Sequence, residues 1–255
     1  MALPPDQRSH PVSVAVDDGT SVSLAIEWHG ESAFSLVLPP AIDTAIHALI
    51  QSIFHHLRAI SLPFVTDLIP AYHTLTVVFD PTALPSQLPD TTAGEQVLRE
   101  ILQCLPSLSF SSNPEKRLMR IPVCYDPSLG PDLVPLAQQL NMTPEELIHL
   151  HSSISYQVFM LGFLPGFAYM GPIDSRLICS RLERPRTSVP AGSVGIAGSQ
   201  TGIYPVASPG GWQLIGQTPL QLFTPHQLPP CLLQPGDEVI MYPISLDAFK
   251  KWSLS

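Results

Sequence analysis

Lysine is nearly missing from this chain of 255 residues. Only Lys116, Lys250 and Lys251 occur among its twelve basic side chains. No G-x-x-x-x-G-K-[ST] loop can be drawn, which removes a self-contained phosphate cradle of the P-loop kind. Charged residues of all types make up 13% of the sequence, leaving little for solvated tails. A net charge of −9 argues against general affinity for nucleic acid or an anionic membrane. No run of roughly 18 apolar residues occurs, so no spanning helix is expected. Residues 1–12 carry prolines, Asp6 and His10 and do not read as a secretory signal. Cysteine is sparse and scattered (Cys104, Cys124, Cys179, Cys231), without a C-x-x-C pair. Beside it stands only the short His149-x-His151 pattern, so four reduced thiols in a cytoplasmic protein, and no bound metal, are the expectation.

What the chain has instead is glycine and proline in one place. Ten of its fifteen glycines lie between Tyr156 and Phe223, in the blocks LGFLPGFAYMG (161–171), RPRTSVPAGSVGIAG (184–198) and QTGIYPVASPGGWQLIGQTP (200–219). Glycine permits positive φ and close backbone approach, whereas proline fixes φ and removes a donor. Such a segment is not a run of helices. It also carries Phe163, Phe167, Tyr169, Tyr204 and Trp212, which no disordered linker would need. Short strands joined by specified turns, shaping a surface that holds something, are the expectation.

Elsewhere the pattern alternates between strand and helix. Val12–Val16 and 21–28 read as strands joined at Asp17-Asp18-Gly19. Residues 41–60 carry a helical stripe of Ile42, Ile46, Leu49, Ile53, Leu57 and Ile60. Leu75–Phe79 reads as a strand, and Thr92 with Glu95 as a capping box opening a helix to about Leu105. The first 115 residues therefore suggest a small α+β domain with helices on one face of an antiparallel sheet. A linker is expected over 114–120, with a second domain over 116–255. That domain opens with a strand over 118–125, then a helix from Pro131 and another capped by Thr143, with Pro144 in its first turn and Glu146 closing a capping box, running to about Ser152. From Ser155 onward it reads as strand and turn, ending in a strand over 238–242.

Several side chains invite chemistry. His151, near a helix end and just ahead of the glycine-rich stretch, is the candidate general acid–base group, its ordinary pKa suiting proton transfer at neutral pH. Complementing the helix dipole is its plainer role. The stretch is locally basic: Arg176, Arg181, Arg184 and Arg186 face only Asp174 and Glu183 between residues 155 and 235. A guanidinium fork suits carboxylate or phosphate, and Arg186 is the preferred anion contact. Gln200 and Tyr204, flanking Gly202, suit an amide or carboxylate. Trp212 suits a pocket wall, and Gly210-Gly211 an anion-binding nest. Ser193 is not the serine of a G-x-S-x-G elbow, because Gly192 precedes it directly.

The blocks G-F-x-P-G-F-x-Y, P-R-x-x-x-P-A-G-S-V-G-I-A-G, Q-x-G-I-Y-P and S-P-G-G-W-x-L-I-G-x-T-P together resemble the carboxyltransferase C/D-subdomain family. The likeness is close over about 120–243 and includes Gly130-Pro131-Asp132-Leu133 and His151 with Tyr156. The N-terminal third matches only loosely, and Ser180-Arg181 stands where the family pattern has Pro-Arg. The resemblance implies a cyclophilin-like β-barrel in the second half. It also implies a subunit of an ATP-dependent 5-oxoprolinase-type enzyme, a hydrolase of lactam or amide bonds. Its partners would be a companion C-type chain and an A-type chain, with ATP bound by a partner or in a shared site. The substrate would be a small anionic lactam or amide, and the chain would be inactive alone. The binding residues implied are Tyr156, Phe163, Pro165, Gly166, Pro190, Gly192, Ser193, Gln200, Tyr204, Gly210, Gly211 and Trp212. Two other readings stay open at this point: a regulatory module like the family's histidine-kinase inhibitor, and a carboxyltransferase component of a biotin-dependent urea or amide carboxylase.

Overall fold

A computed structural model describes residues 12–15, 21–84, 91–105 and 117–252. The Asp17-Asp18-Gly19 turn and residues 114–116 of the expected linker lie outside the described residues. The chain divides into two compact units, 1–114 and 115–255.

Among the described residues the first unit is a five-stranded antiparallel sheet with two α-helices. Its elements are β1 (Val12–Ala15), β2 (Ser21–Trp28), β3 (Ala33–Val37), α1 (Thr44–Ile60), β4 (Val65–Pro70), β5 (Thr74–Phe79) and α2 (Ala93–Cys104). Strand order is β1-β2-β3-β5-β4. The α1 helix begins three residues later than its apolar stripe suggests. Asp43, in extended backbone, accepts from the Ala45 and Ile46 N–H groups and so sets the start. Ile42 is thereby left outside the helix, and Ile60 ends up on an exposed face. For α2 the capping box forms as expected, Thr92 and Glu95 each accepting from the other's backbone N–H. Leu24, Ile26, Phe34, Leu36, Leu75 and Val77 of the sheet pack with Ile50, Ile53, Val97 and Ile101 of the helices. Each fully buried side chain of this kind stabilises the fold by roughly 1.5–3 kcal/mol before chain entropy is set against it.

In the second unit the elements run β6 (Leu118–Val123), α3 (Leu133–Gln139), α4 (Pro144–Ser152), β7 (Ser155–Leu161), β8 (Ala168–Gly171), β9 (Arg186–Val189), β10 (Ser193–Ala197), β11 (Gln200–Ile203), β12 (Ser208–Gly210), β13 (Gln213–Gln217), β14 (Glu238–Pro243) and α5 (Leu246–Trp252). A seven-stranded sheet takes the order β13-β10-β11-β8-β7-β14-β6. It curls until its edges touch. Cys124, just past β6, exchanges two backbone hydrogen bonds with Gln217 of β13, at 2.8 and 2.9 Å. β9 and β12 form a separate two-stranded ribbon. The α5 helix corrects the expectation of strand and turn alone beyond Ser155. Its seven residues follow a proline and start where Ser245 accepts from the Ala248 N–H, a signal too short to stand out from periodicity.

Alternation along the strands gives this sheet two unlike faces. Ala168, Met170, Val194, Ile196, Ile203 and Ile215 point to a large interior that includes Leu133, Leu136 and Leu147 of the helices. Phe167, Tyr169, Ala197, Tyr204, Trp212 and Leu214 build a smaller aromatic cluster on the other side. Two glycines make room for it. A Cβ on Gly202 would lie 2.9 Å from the Phe167 ring, and one on Gly195 would lie 3.0 Å from Trp212. The glycine-rich motif is thus a seat for aromatic rings laid against the sheet. No helix among the described residues is long and apolar enough to cross a membrane.

Candidate functional site

The inner face holds a polar chain with no exit. His151, on α4, is fully buried. Its Nδ1 lies 2.8 Å from the Tyr125 hydroxyl and its Nε2 2.8 Å from Thr201 Oγ1. The Thr201 hydroxyl donates to the Gly195 carbonyl at 3.1 Å. A threonine hydroxyl has one proton, so Oγ1 must accept from the ring. His151 is therefore the neutral Nε2–H tautomer, and Nδ1 accepts from Tyr125. The Tyr156 hydroxyl donates to the His151 carbonyl at 2.7 Å. Burial holds the His151 pKa down from 6.5 to about 3 and pushes both tyrosine hydroxyls above their ordinary value.

These surroundings differ from those expected of a general acid–base group. At neutral pH the ring has no proton to spare beyond the one Thr201 receives, and both nitrogens are held inside the fold. Tyr156, expected to touch substrate, is also sealed in the core. The network instead ties α4 to the end of β6, to β10 and to β11.

Arg186 is engaged as well. Its guanidinium donates to Asp132 at 2.6 Å, and the other Asp132 oxygen accepts from the Leu214 N–H at 2.7 Å. A longer contact, 3.5 Å, reaches the Trp212 carbonyl. The arginine expected to be the anion contact already has a carboxylate of its own. His151 and Arg186 share no hydrogen-bonding partner.

The remaining candidates gather around the aromatic cluster and one turn. Phe167 is its hub, with ring centroids of Tyr169, Tyr204, Trp212 and Phe163 at 4.8, 5.1, 5.5 and 5.7 Å. Phe163 is 62% exposed and has φ +64°, a backbone state bulky side chains avoid. Pro165 beside it is exposed and Gly166 buried. Gly210 lies under the Tyr204 hydroxyl, where a Cβ would fall within 2.4 Å. Gly211 accepts from the Leu182 N–H, and Gln200 is half-buried at the start of β11. Burial raises the Tyr204 pKa, while the Trp212 backbone N–H and the charges of Arg181 and Arg186 pull it down. Trp212 is nearly covered, with the Arg181 guanidinium 6.0 Å over its ring.

Pro190 is exposed at the turn into β10, Ser193 is buried, and Gly192 has φ +80°. A Cβ there would meet the Thr218 carbonyl at 2.3 Å, so this turn accepts only glycine. It lines a cleft of about 480 Å³ with Gln217, Thr218, Gln221, Phe223 and Phe249, and none of the residues around that cleft is charged. Among the described residues, no three His, Cys, Asp or Glu side chains gather where a metal could sit. Sequence reasoning did not single out Tyr125, Thr201 or Asp132 as site residues. Asp132 lay in a quoted motif, yet nothing in the motif showed that its partner is Arg186, 54 positions away.

The carboxyltransferase domain, subdomain C and D, family profile matches residues 24–233. The likeness thus extends through most of the first unit, which the motifs alone matched only loosely. The B subunit of 5-oxoprolinase from Bacillus subtilis (strain 168) is 39% identical over 227 residues, covering 88% of this chain and 95% of that protein. Its counterpart in Escherichia coli O157:H7 is 41% identical over 214 residues, covering 84% and 93%. Among solved structures, TTHA0988 superposes with a TM-score of 0.72 at 33% identity, over 84% of this chain. This chain spans 40% of the TTHA0988 chain.

Proposed function

This chain belongs to the carboxyltransferase subdomain C and D family, and on that footing we propose that it is the B-type component of a 5-oxoprolinase. The observation that carries the reading is 39% and 41% identity, over nearly their full length, to the B-type components of two separate bacteria. Such a component implies companions, and the reading assigns the chain a C-type partner and an A-type partner. The substrate is 5-oxoproline, a five-membered lactam with a carboxylate.

ATP belongs to the partner side of this reading. No P-loop is present, and the 480 Å³ cleft offers a triphosphate no charged group. What this chain's residues contribute is binding and orientation: an aromatic wall from the half-buried Tyr169, backed by the nearly covered Trp212, and guanidinium groups for an anion. The curled seven-stranded sheet, cyclophilin-like in this reading, is the rigid base under that wall. One wall and a cation do not enclose a substrate, which suits a site that a companion chain completes.

The test is phosphate release from ATP, dependent on 5-oxoproline, with the chain alone, with its C-type companion, and with both companions. The expected result is no turnover by the chain alone and turnover in a mixture. Silence in every mixture that forms a stable complex overturns the reading.

A further inference from the structure

We propose that Arg181, laid over Trp212, is the oxyanion contact of this chain and takes the carboxylate of the lactam substrate. For the identity of the ligand this rests on the 5-oxoprolinase reading; for the site it rests on the following geometry.

Four arginines lie in the glycine-rich segment, and two are engaged. Arg176 pairs with Asp174 at 2.8 Å, and Arg186 with Asp132 at 2.6 Å. Arg184 is exposed and stacks on no ring among the described residues. Arg181 is exposed too, and among the described residues its guanidinium makes no hydrogen bond or ion pair, not even with nearby Glu183. What it has is the face of Trp212, 6.0 Å from the ring centroid.

The main chain on both sides of Arg181 is fixed. The Ser180 carbonyl accepts from Gln213 Nε2 at 3.1 Å, and the Leu182 N–H donates to the Gly211 carbonyl at 2.7 Å. The side chain therefore leaves from a stapled segment, which lowers the ordering cost of binding. The cation–π contact places the guanidinium over the ring and leaves its N–H groups unclaimed, so they can take a bidentate carboxylate. The half-buried Tyr169 ring stands 5.9 Å from the nearly covered Trp212, so a flat five-membered ring has the Tyr169 edge of the cluster beside the cation. The charge of Arg181 is also felt at the Tyr169 and Tyr204 hydroxyls. A guanidinium also takes phosphate, so the nucleotide is the other source of an oxyanion here, and the experiment separates the two.

Steady-state kinetics of the reconstituted enzyme carrying Arg181→Ala should show KM for 5-oxoproline raised about tenfold or more, the loss expected for one charge-assisted contact. KM for ATP should stay within about twofold, and the thermal midpoint of the chain should not move. Arg181→Lys should recover part of the loss, keeping the charge without the fork. An unchanged KM for 5-oxoproline overturns the proposal, as does a rise confined to ATP. Should the wild-type mixture itself be silent, the functional reading fails and the site is decided on the chain alone. There the Trp212 indole N–H signal, assigned with Trp212→Phe, is followed by NMR with 5-oxoproline and with 2-pyrrolidinone. A shift caused by the acid only, and lost in Arg181→Ala, supports the site; no shift with either compound, or the same shift with both, overturns it.

Discussion

The two faces of the curled sheet treat their polar groups in opposite ways. On the inner face His151, Tyr125, Thr201 and Tyr156 are sealed, uncharged and fully hydrogen-bonded. On the outer face Arg181 is charged, solvent-exposed and held only by a ring. The inner arrangement leaves a ligand no donor, whereas the outer one leaves it the guanidinium N–H groups. A histidine with a suitable ordinary pKa thus becomes a structural tie, because burial and two committed nitrogens decide its state. An arginine that looks like any surface cation becomes the better candidate, because no hydrogen bond or ion pair among the described residues has claimed it.

Removing the inner tie should give the largest effect. His151→Ala deletes a buried ring and leaves Tyr125 and Thr201 with one partner fewer, a cost of about 3–4 kcal/mol in urea unfolding. The same residue gives a pH signature. Its folded-state pKa of about 3 lies below the unfolded value of 6.5, so below pH 6.5 the unfolded chain binds a proton that the folded chain refuses. Stability from this residue is complete above pH 6.5 and falls toward pH 3, by about 1.4 kcal/mol per pH unit. His151→Phe, compared with wild type over that window, should lack this slope; equal slopes would break the inner half of the comparison.

Next comes the clasp between the faces and α3. Asp132→Ala orphans the Leu214 N–H and releases Arg186, and about 2–3 kcal/mol should be lost, less than for a fully buried pair because Arg186 is partly exposed. Gly202→Ala should cost about 1–3 kcal/mol by pushing a methyl group into the Phe167 and Trp212 rings. Its chemical shifts should change in the aromatic cluster and not around His151. The smallest effect, of opposite sign, is expected at Phe163→Gly. The ring is mostly exposed and the backbone is at positive φ, so thermal unfolding should move slightly upward, by the equivalent of at most about 1 kcal/mol.

Local chemistry was the legible part of the sequence. The Thr92–Glu95 box, the Thr143 cap (though Glu146 does not return the bond) and the strand over 21–28 read correctly, because each depends on residues within a few positions. The strands β3 and β4 escaped notice because each is only five or six residues long, although Gly30 and Pro39-Pro40 border β3 and Pro63 precedes β4. At the candidate site the motifs marked the segment that builds the aromatic cluster but not the state of its side chains. Arg186 and Arg181 look alike in sequence, and only a carboxylate 54 positions away distinguishes them. His151 shows the same limit: Tyr125 and Thr201, which fix its tautomer, lie 26 and 50 positions away.

The division between a sealed inner tie and an available outer cation is tested most directly at the His151 ring nitrogens, by ¹⁵N NMR of the chain between pH 7.5 and 5. The account predicts a neutral ring with its proton on Nε2 throughout, with no titration in that range. A midpoint near 6.5, or a proton on Nδ1, would contradict it and return His151 to the acid–base role.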